Sequence, residues 1–263
     1  MLLPPIISVF ASTGFLAGAI LTLRAMGLLR KVLGDEGNWN ATQIVTLLVV
    51  GFVYFGIIYF FTGMAVHMVD KHLKGQDPRL GEAFADSVRN MGAILLLALA
   101  SSVISLLTSG RRRRARGYDE ADIAARLAWR VWMVAVSLAL PIIILEDMPF
   151  RRAWGRAKEI YAGNLVPIAI GEIGVIIVSR VISFLAVLIA AAGVFWVYTM
   201  SGRAALIPSL VVAGLFLAVV MAYTNFMRTA YYTCLYLWAV EREAAGEQAA
   251  VPKPIAAALE MGT

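Results

Sequence analysis

The chain has 263 residues, 60% of them hydrophobic and 15% charged, with 23 Lys and Arg against 17 Asp and Glu and a formal net charge of +6. A mean hydropathy of +0.79 excludes an ordinary soluble domain, in which apolar residues make up about 45–50%, so the basic excess is read as affinity for anionic lipid head groups and not for nucleic acid. The single cysteine, Cys234, excludes an internal disulfide and a cysteine-based metal cage.

A helix rises about 1.5 Å per residue and needs about 20 residues to cross a hydrocarbon core about 30 Å thick. The first such span is expected from about Pro4 to Met26, retained because no basic residue precedes it and no small-x-small cleavage site follows. Its Gly14 and Gly18 have the spacing of a close helix contact. The second begins after Asn40, where Asn40 and Gln43 have capping-box spacing. The third runs from Gly92 to Thr108 and the fourth from about Leu127 to Leu145, with Pro141 expected to bend it. The stretch from Leu165 to Tyr198 is too long for one upright helix, so it is expected to tilt, to break near Gly171 and Gly174, or to lie partly in the interface. The sixth span covers about Ala204 to Tyr223 and continues into FMRTAYYTCLYLWAVE, where Tyr231, Tyr232, Tyr236 and Trp238 fit an interfacial aromatic belt.

Two charged segments interrupt these spans. In EDMPFRRAWGRAKEIYAGN, a helical wheel from Phe150 to Asn164 gathers Phe150, Trp154, Tyr161, Ala153, Ala157 and Ile160 on one arc, flanked by Arg151, Arg152, Arg156 and Lys158. This is the pattern of a helix lying in the membrane interface, aromatics against acyl chains and basic residues at phosphates. Asp147 is placed to cap it. LGEAFADSVRNMG repeats the pattern more weakly, with Leu80, Phe84, Ser87, Val88 and Met91 opposite Glu82, Asp86 and Arg89. The expected architecture is therefore an all-α polytopic membrane protein with about six transmembrane helices and two interfacial amphipathic helices. Residues 1–245 form one integral membrane domain, and 246–263 form a polar, mobile tail.

The residues that carry chemistry are few. His67, Asp70 and His72 lack the spacing of a two-histidine metal site, and neither a serine nucleophile elbow, a phosphate-cradling glycine loop nor a zinc-protease helix occurs. No cofactor or metal is expected. Glu146 and Asp147 are adjacent and so point about 100° apart, which suits capping and pairing with Arg151 better than acid and base work. Glu172, Arg180 and Arg228 lie in or beside apolar runs, where a charge marks either an ion path or a structural pair. Glu172 and Arg180 are separated by about 12 Å along one helix and cannot meet unless it breaks. Arg111, Arg112, Arg113 and Arg114 form a basic cluster for acidic lipid or a protein partner. Of the 23 Lys and Arg, ten fall on one side of a six-span arrangement and eleven on the other; only Arg180 and Arg228 remain within the spans. Charge counting leaves the orientation open.

The segments DKHLKGQDPRLGEAFADSVRNMGAILLLALASSV, LPIIILEDMPFRRAWGRAKEIYAGNLVPIAIG and RTAYYTCLYLWAVE resemble a family of multi-span prokaryotic membrane proteins known mainly as a domain of unknown function. That family is itself similar to the membrane domain accompanying some glycerophosphodiester phosphodiesterases. The resemblance implies a place in the prokaryotic cytoplasmic membrane with both termini cytoplasmic, although the amphipathic helix that usually precedes the first span is missing at LLPP. It implies no catalytic residues. The expected role is a non-enzymatic structural or accessory subunit, a homo-oligomer or part of a larger membrane complex in contact with lipid head groups. A small transporter or channel using Glu172 and Arg180 is the alternative, ahead of an intramembrane lipid enzyme.

Overall fold

The computed structural model describes residues 1–25, 40–114, 120–163 and 165–245. The polar tail and the connection after the first helix lie outside these. Among the described residues the elements are α1 (Leu3–Ala25), α2 (Ala41–Leu73), α3 (Leu80–Arg89), α4 (Met91–Arg114), α5 (Glu120–Leu145), α6 (Phe150–Gly163), α7 (Leu165–Ser201), a 3₁₀ turn (Gly202–Ala205) and α8 (Leu206–Ala245). The fold is all-α. Five continuous segments are long and apolar enough to cross a membrane: Leu3–Ala25, Ala41–Leu73, Met91–Thr108, Ile123–Leu145 and Gly171–Glu243. The last has 73 residues, far more than one crossing needs, and the 3₁₀ turn divides it into two helices. Gly202, at φ +68°, adopts the left-handed conformation that closes a helix and that glycine takes without steric cost. The two halves pack antiparallel as a hairpin: Gly193 faces Ser209 near the turn, and Glu172 meets Arg228 at the far end. The described chain thus offers six crossings, two of them in the hairpin, with α3 and α6 as short helices at one end.

Local sequence explains the boundaries. The side chain of Gln43 accepts a hydrogen bond from the Asn40 N–H at 2.8 Å, so α2 starts where the capping spacing placed it. No break occurs at Gly171 or Gly174; α7 is continuous over 37 residues. Gly171 serves packing instead, because a Cβ there would overlap the Tyr231 hydroxyl and ring. Gly14 and Gly18 of α1 face open space, and so form no close helix contact among the described residues.

The core lies where α2, α4, α5 and α8 meet, with Ile94, Leu97, Leu138, Ile142, Tyr232 and Leu235 buried in it. Water drives no helix association inside a bilayer, so packing and interhelical hydrogen bonds carry the bundle. A buried example joins three helices. Ser101 Oγ receives the Trp132 Nε1–H at 3.0 Å and lies 2.7 Å from the Tyr59 hydroxyl, while donating its own hydrogen to the Leu97 carbonyl at 2.9 Å. The Ser101 hydrogen being committed, Tyr59 is the donor to Ser101. The expected aromatic belt is corrected here: Tyr232, Tyr236 and Trp238 are 1%, 3% and 6% exposed, because the second half of α8 runs into the bundle and they fill protein.

Polar contacts tie the helix ends together. Asp147 accepts hydrogen bonds from Arg89 Nε at 3.0 Å and Asn90 Nδ2 at 2.8 Å, clamping the α3–α4 corner to the α5–α6 corner. It does not cap α6, and Glu146 accepts from the Tyr236 hydroxyl in place of the expected pairing with Arg151. Asp147 sits at φ +51°, a conformation that Asp tolerates better than most residues. Replacing Asp147 by Gly removes the clamp but relieves the backbone, whereas Ala removes the clamp and keeps the strain. Thermal midpoints in detergent should therefore fall in the order wild type, D147G, D147A, the last two separated by about 1 kcal/mol; equal midpoints would show that the backbone carries no strain.

Candidate membrane-embedded polar site

The short helices differ in how they use their apolar faces. On α3, Ala83 and Ser87 are buried against the bundle, while Leu80, Phe84 and Val88, spaced i, i+4, i+8, are exposed. That stripe suits acyl chains. On α6 the arc turns the other way. Ala153, Ala157 and Ile160 are 0%, 3% and 1% exposed, and Phe150 and Trp154 pack against the same core. The Trp154 ring lies 5.0 Å from that of Trp132, about 20 Å along α5 from Leu145. The expectation that this arc meets acyl chains is corrected: it meets protein, because α6 folds back against α5 and α8.

The basic flank of α6 divides accordingly. Arg151, Arg152 and Lys158 are exposed and available to phosphates. Arg156 is held by Glu243 of α8, with Glu159 at 3.7 Å. The hydrogen bond to Glu243 raises the Arg156 pKa further, so the guanidinium stays charged. The side chains of Tyr161 and of Arg111, Arg112, Arg113 and Arg114 lie outside the described residues. His67 and Asp70 do not act together: His67 Nδ1 is 2.8 Å from Asp86 of α3, and Asp70 receives Lys74 at 2.8 Å. Among the described residues no cluster of His, Cys, Asp and Glu could hold a metal ion.

The three charges placed in or near the spans separate into a pair and a single residue. Glu172 of α7 is reached by Arg228 Nη2 at 3.1 Å and by the Tyr232 hydroxyl, both from α8. The guanidinium carbon of Arg228 also lies 5.8 Å from the centre of the Tyr232 ring, within cation–π range. Arg180, two turns farther along the unbroken α7, is exposed and joins neither.

Arg228 and Tyr232 form part of the wall of a cavity of about 350 Å³ enclosed by α1, α2, α5 and α8. Each helix contributes one face. From α8 come Asn225, Arg228, Thr229 and Tyr232, spaced i, i+3, i+4, i+7; from α1 Ser8 and Ser12; from α2 Tyr54, Ile58 and Thr62; from α5 Met133, Ser137 and Pro141. Pro141 has no N–H, so the Ser137 carbonyl loses its usual helical donor beside the cavity. Sequence reasoning found Arg228 and missed the rest of this wall. The signal was the polar stripe at helical spacing in an otherwise apolar helix.

A described family of unknown function, DUF6159, matches residues 40–246. The chain belongs to this family. The DUF6159 match spans α2 to α8, hence three walls of the cavity and the Glu172–Arg228 pair, while α1 lies outside it. Neither the curated proteins nor the solved structures contain a match to the chain.

With Arg228 about a third exposed and Glu172 less so, removal of one charge leaves the other poorly solvated. Glu172→Gln should lower unfolding stability by about 2 kcal/mol, less than for a fully buried pair. The double variant with Arg228→Met should recover at least half of that loss, because two neutral groups need no counter-charge. Additive losses, measured as thermal midpoints in one detergent, would mean the pair is solvated and not coupled.

Proposed function

We propose that this DUF6159 chain is a non-enzymatic accessory subunit of the prokaryotic cytoplasmic membrane that packs, through its α7–α8 hairpin, with a second copy or with a larger membrane complex. The observation carrying this is the isolation of α7. Its 37 residues pack on α8 and, lightly, on α6. Phe184, Phe195, Trp196 and Met200 point outward at 64%, 69%, 65% and 72% exposure. Between the two helices runs a surface groove lined by Ala190, Gly193, Ala205, Ser209 and Ala213 among others, small residues of the kind that let another helix approach closely. Arg180 lies on the same exposed helix, and a charge on a lipid-facing surface is costly unless it reaches head groups or a partner's carboxylate. The exposed Arg151, Arg152 and Lys158 supply the lipid head-group contact, each worth about 1 kcal/mol near an anionic surface.

The resemblance to multi-span prokaryotic membrane proteins motivates placing both termini in the cytoplasm. A transporter is the second reading, favoured by the polar cavity at Arg228; Arg180 takes no part in it. In a Cys234→Ser background, single cysteines at Gly193 and Ala213 should cross-link a second copy, or a stoichiometric partner, in native membranes. Reaction of both positions only with lipid-borne quenchers, in a chain that runs as a monomer, would reject the subunit reading. Ion or solute flux from purified protein in liposomes would put the transporter first. Reporters at Thr263 and between Arg111 and Arg116 are expected on opposite sides of the membrane; reports from the same side would refute the six-span orientation.

A further inference from the structure

The cavity between α1, α2, α5 and α8 has a chemical polarity beyond being hydroxyl-rich. Ser12 Oγ donates to the Val9 carbonyl at 3.2 Å, Thr62 to Ile58 at 2.7 Å, Ser137 to Met133 at 2.8 Å and Thr229 to Asn225 at 3.0 Å. Tyr232 donates to Glu172 and Tyr59 to Ser101. Each of these six hydroxyls has one hydrogen and has committed it to the protein, so what it can turn toward the cavity is a lone pair. Arg228, whose guanidinium has N–H groups beyond the one given to Glu172, and the Asn225 amide line the same space and can donate, so the wall suits a group that both donates and accepts a hydrogen bond, as a hydroxyl does.

Charge narrows the class further. Of this pair Arg228 lines the cavity and Glu172 does not; the guanidinium is already matched by the Glu172 carboxylate at 3.1 Å, so a cationic head would meet Arg228 and an anionic head would meet a charge already neutralised. Both would lose hydration without a net electrostatic gain. The rest of the lining, including Val9, Ile58, Met133 and Leu140, is apolar. Thr13, Met221 and Asn225 line the cavity and are themselves exposed, which places its mouth between α1 and α8, on a flank of the bundle where lipid chains lie. The volume falls at the lower end of the range of about 300–1,000 Å³ for ligand sites, room for a head group and the start of a chain that continues into the bilayer.

We propose that this cavity binds the uncharged, hydroxyl-bearing head of a membrane amphiphile, its chain leaving between α1 and α8. The proposal does not depend on the hairpin's role in assembly. The full chain in lipid nanodiscs is photolabelled with hexadecanol carrying a diazirine near its head, and adducts are mapped by mass spectrometry. Labels are expected on α1, α2, α5 and α8 at cavity positions. Unlabelled hexadecanol should compete at a concentration at least about tenfold below that needed for hexadecanoate, hexadecylammonium or hexadecane, as expected when two hydrogen bonds are lost or a charge is desolvated.

The variant Thr62→Val with Ser137→Ala keeps nearly the same volume while deleting two acceptors, and should reduce labelling about fivefold or more, with an unchanged thermal midpoint. If that pair does not fold, Ser12→Ala on α1 reads the same effect at about twofold. Equal competition by all four chains, labels confined to the outer surface, or undiminished labelling in a folded variant would overturn the proposal. Displacement by free glycerol as effective as by hexadecanol would overturn the amphiphile assignment, since the chain would then contribute nothing.

Discussion

A carboxylate carried into an apolar layer must be neutralised by a neighbour, and in this chain Glu172 sets that requirement for the hairpin. It sits near the start of α7, a helix that packs broadly on α8 and little elsewhere. Arg228 and Tyr232, one turn apart on α8, both reach it, and a shift of α8 by one residue would swing these side chains about 100° away. The pair therefore marks one register of α7 on α8. Gly171, next to Glu172, permits the close approach of Tyr231.

The same logic governs the ends of the bundle. Asp147 gathers Arg89 and Asn90, Glu146 takes the Tyr236 hydroxyl, and Glu243 holds Arg156. In each case the partners come from different helices, far apart in sequence. The two short helices then take different roles for a simple reason. α3 has small residues, Ala83 and Ser87, on the face toward α2, so it lies close and leaves its larger apolar residues outward. α6 turns Ala153, Ala157, Ile160 and its rings inward, and its open side keeps Arg151, Arg152 and Lys158. An amphipathic wheel describes both helices equally well, since it records that an apolar face exists and not whether lipid or protein covers it.

That difference separates what was legible in the sequence from what was not. Long charge-free runs located the membrane-crossing helices because length and hydropathy are local properties, and Gln43 marked the start of α2 because capping acts over three residues. Partners across the bundle were invisible. Asp147 stands in sequence beside α6, so capping was the natural expectation, yet its partners are 57 and 58 residues away. Tyr232 and Tyr236 read as an interfacial belt because aromatic residues at the end of an apolar run usually are one; their burial follows from α8 continuing well past that run. Glu172 and Arg180 drew attention together as charges in one stretch, but the helix is unbroken, and the matching cation came from Arg228 on the returning strand of the hairpin.

The cavity shows how such a site escapes a reading of spans one at a time. No helix supplies more than a thin polar stripe, and on each helix one hydroxyl of the lining, Ser12, Thr62, Ser137 or Thr229, returns its hydrogen to its own backbone, the low-cost arrangement inside a membrane. That local economy has a collective effect: four helices brought together present acceptors to the same space. Three walls lie within the DUF6159 match and α1 supplies the fourth. α1 buries only Pro4, Pro5, Ser8, Val9 and Ser12, one edge of a helix otherwise open to lipid. Without that edge the remaining walls would form a groove, with the hydroxyls of Thr62, Ser137 and Thr229 facing hydrocarbon. α1 thus closes the cavity with a single edge, and the mouth lies beside that edge, where α1 meets α8.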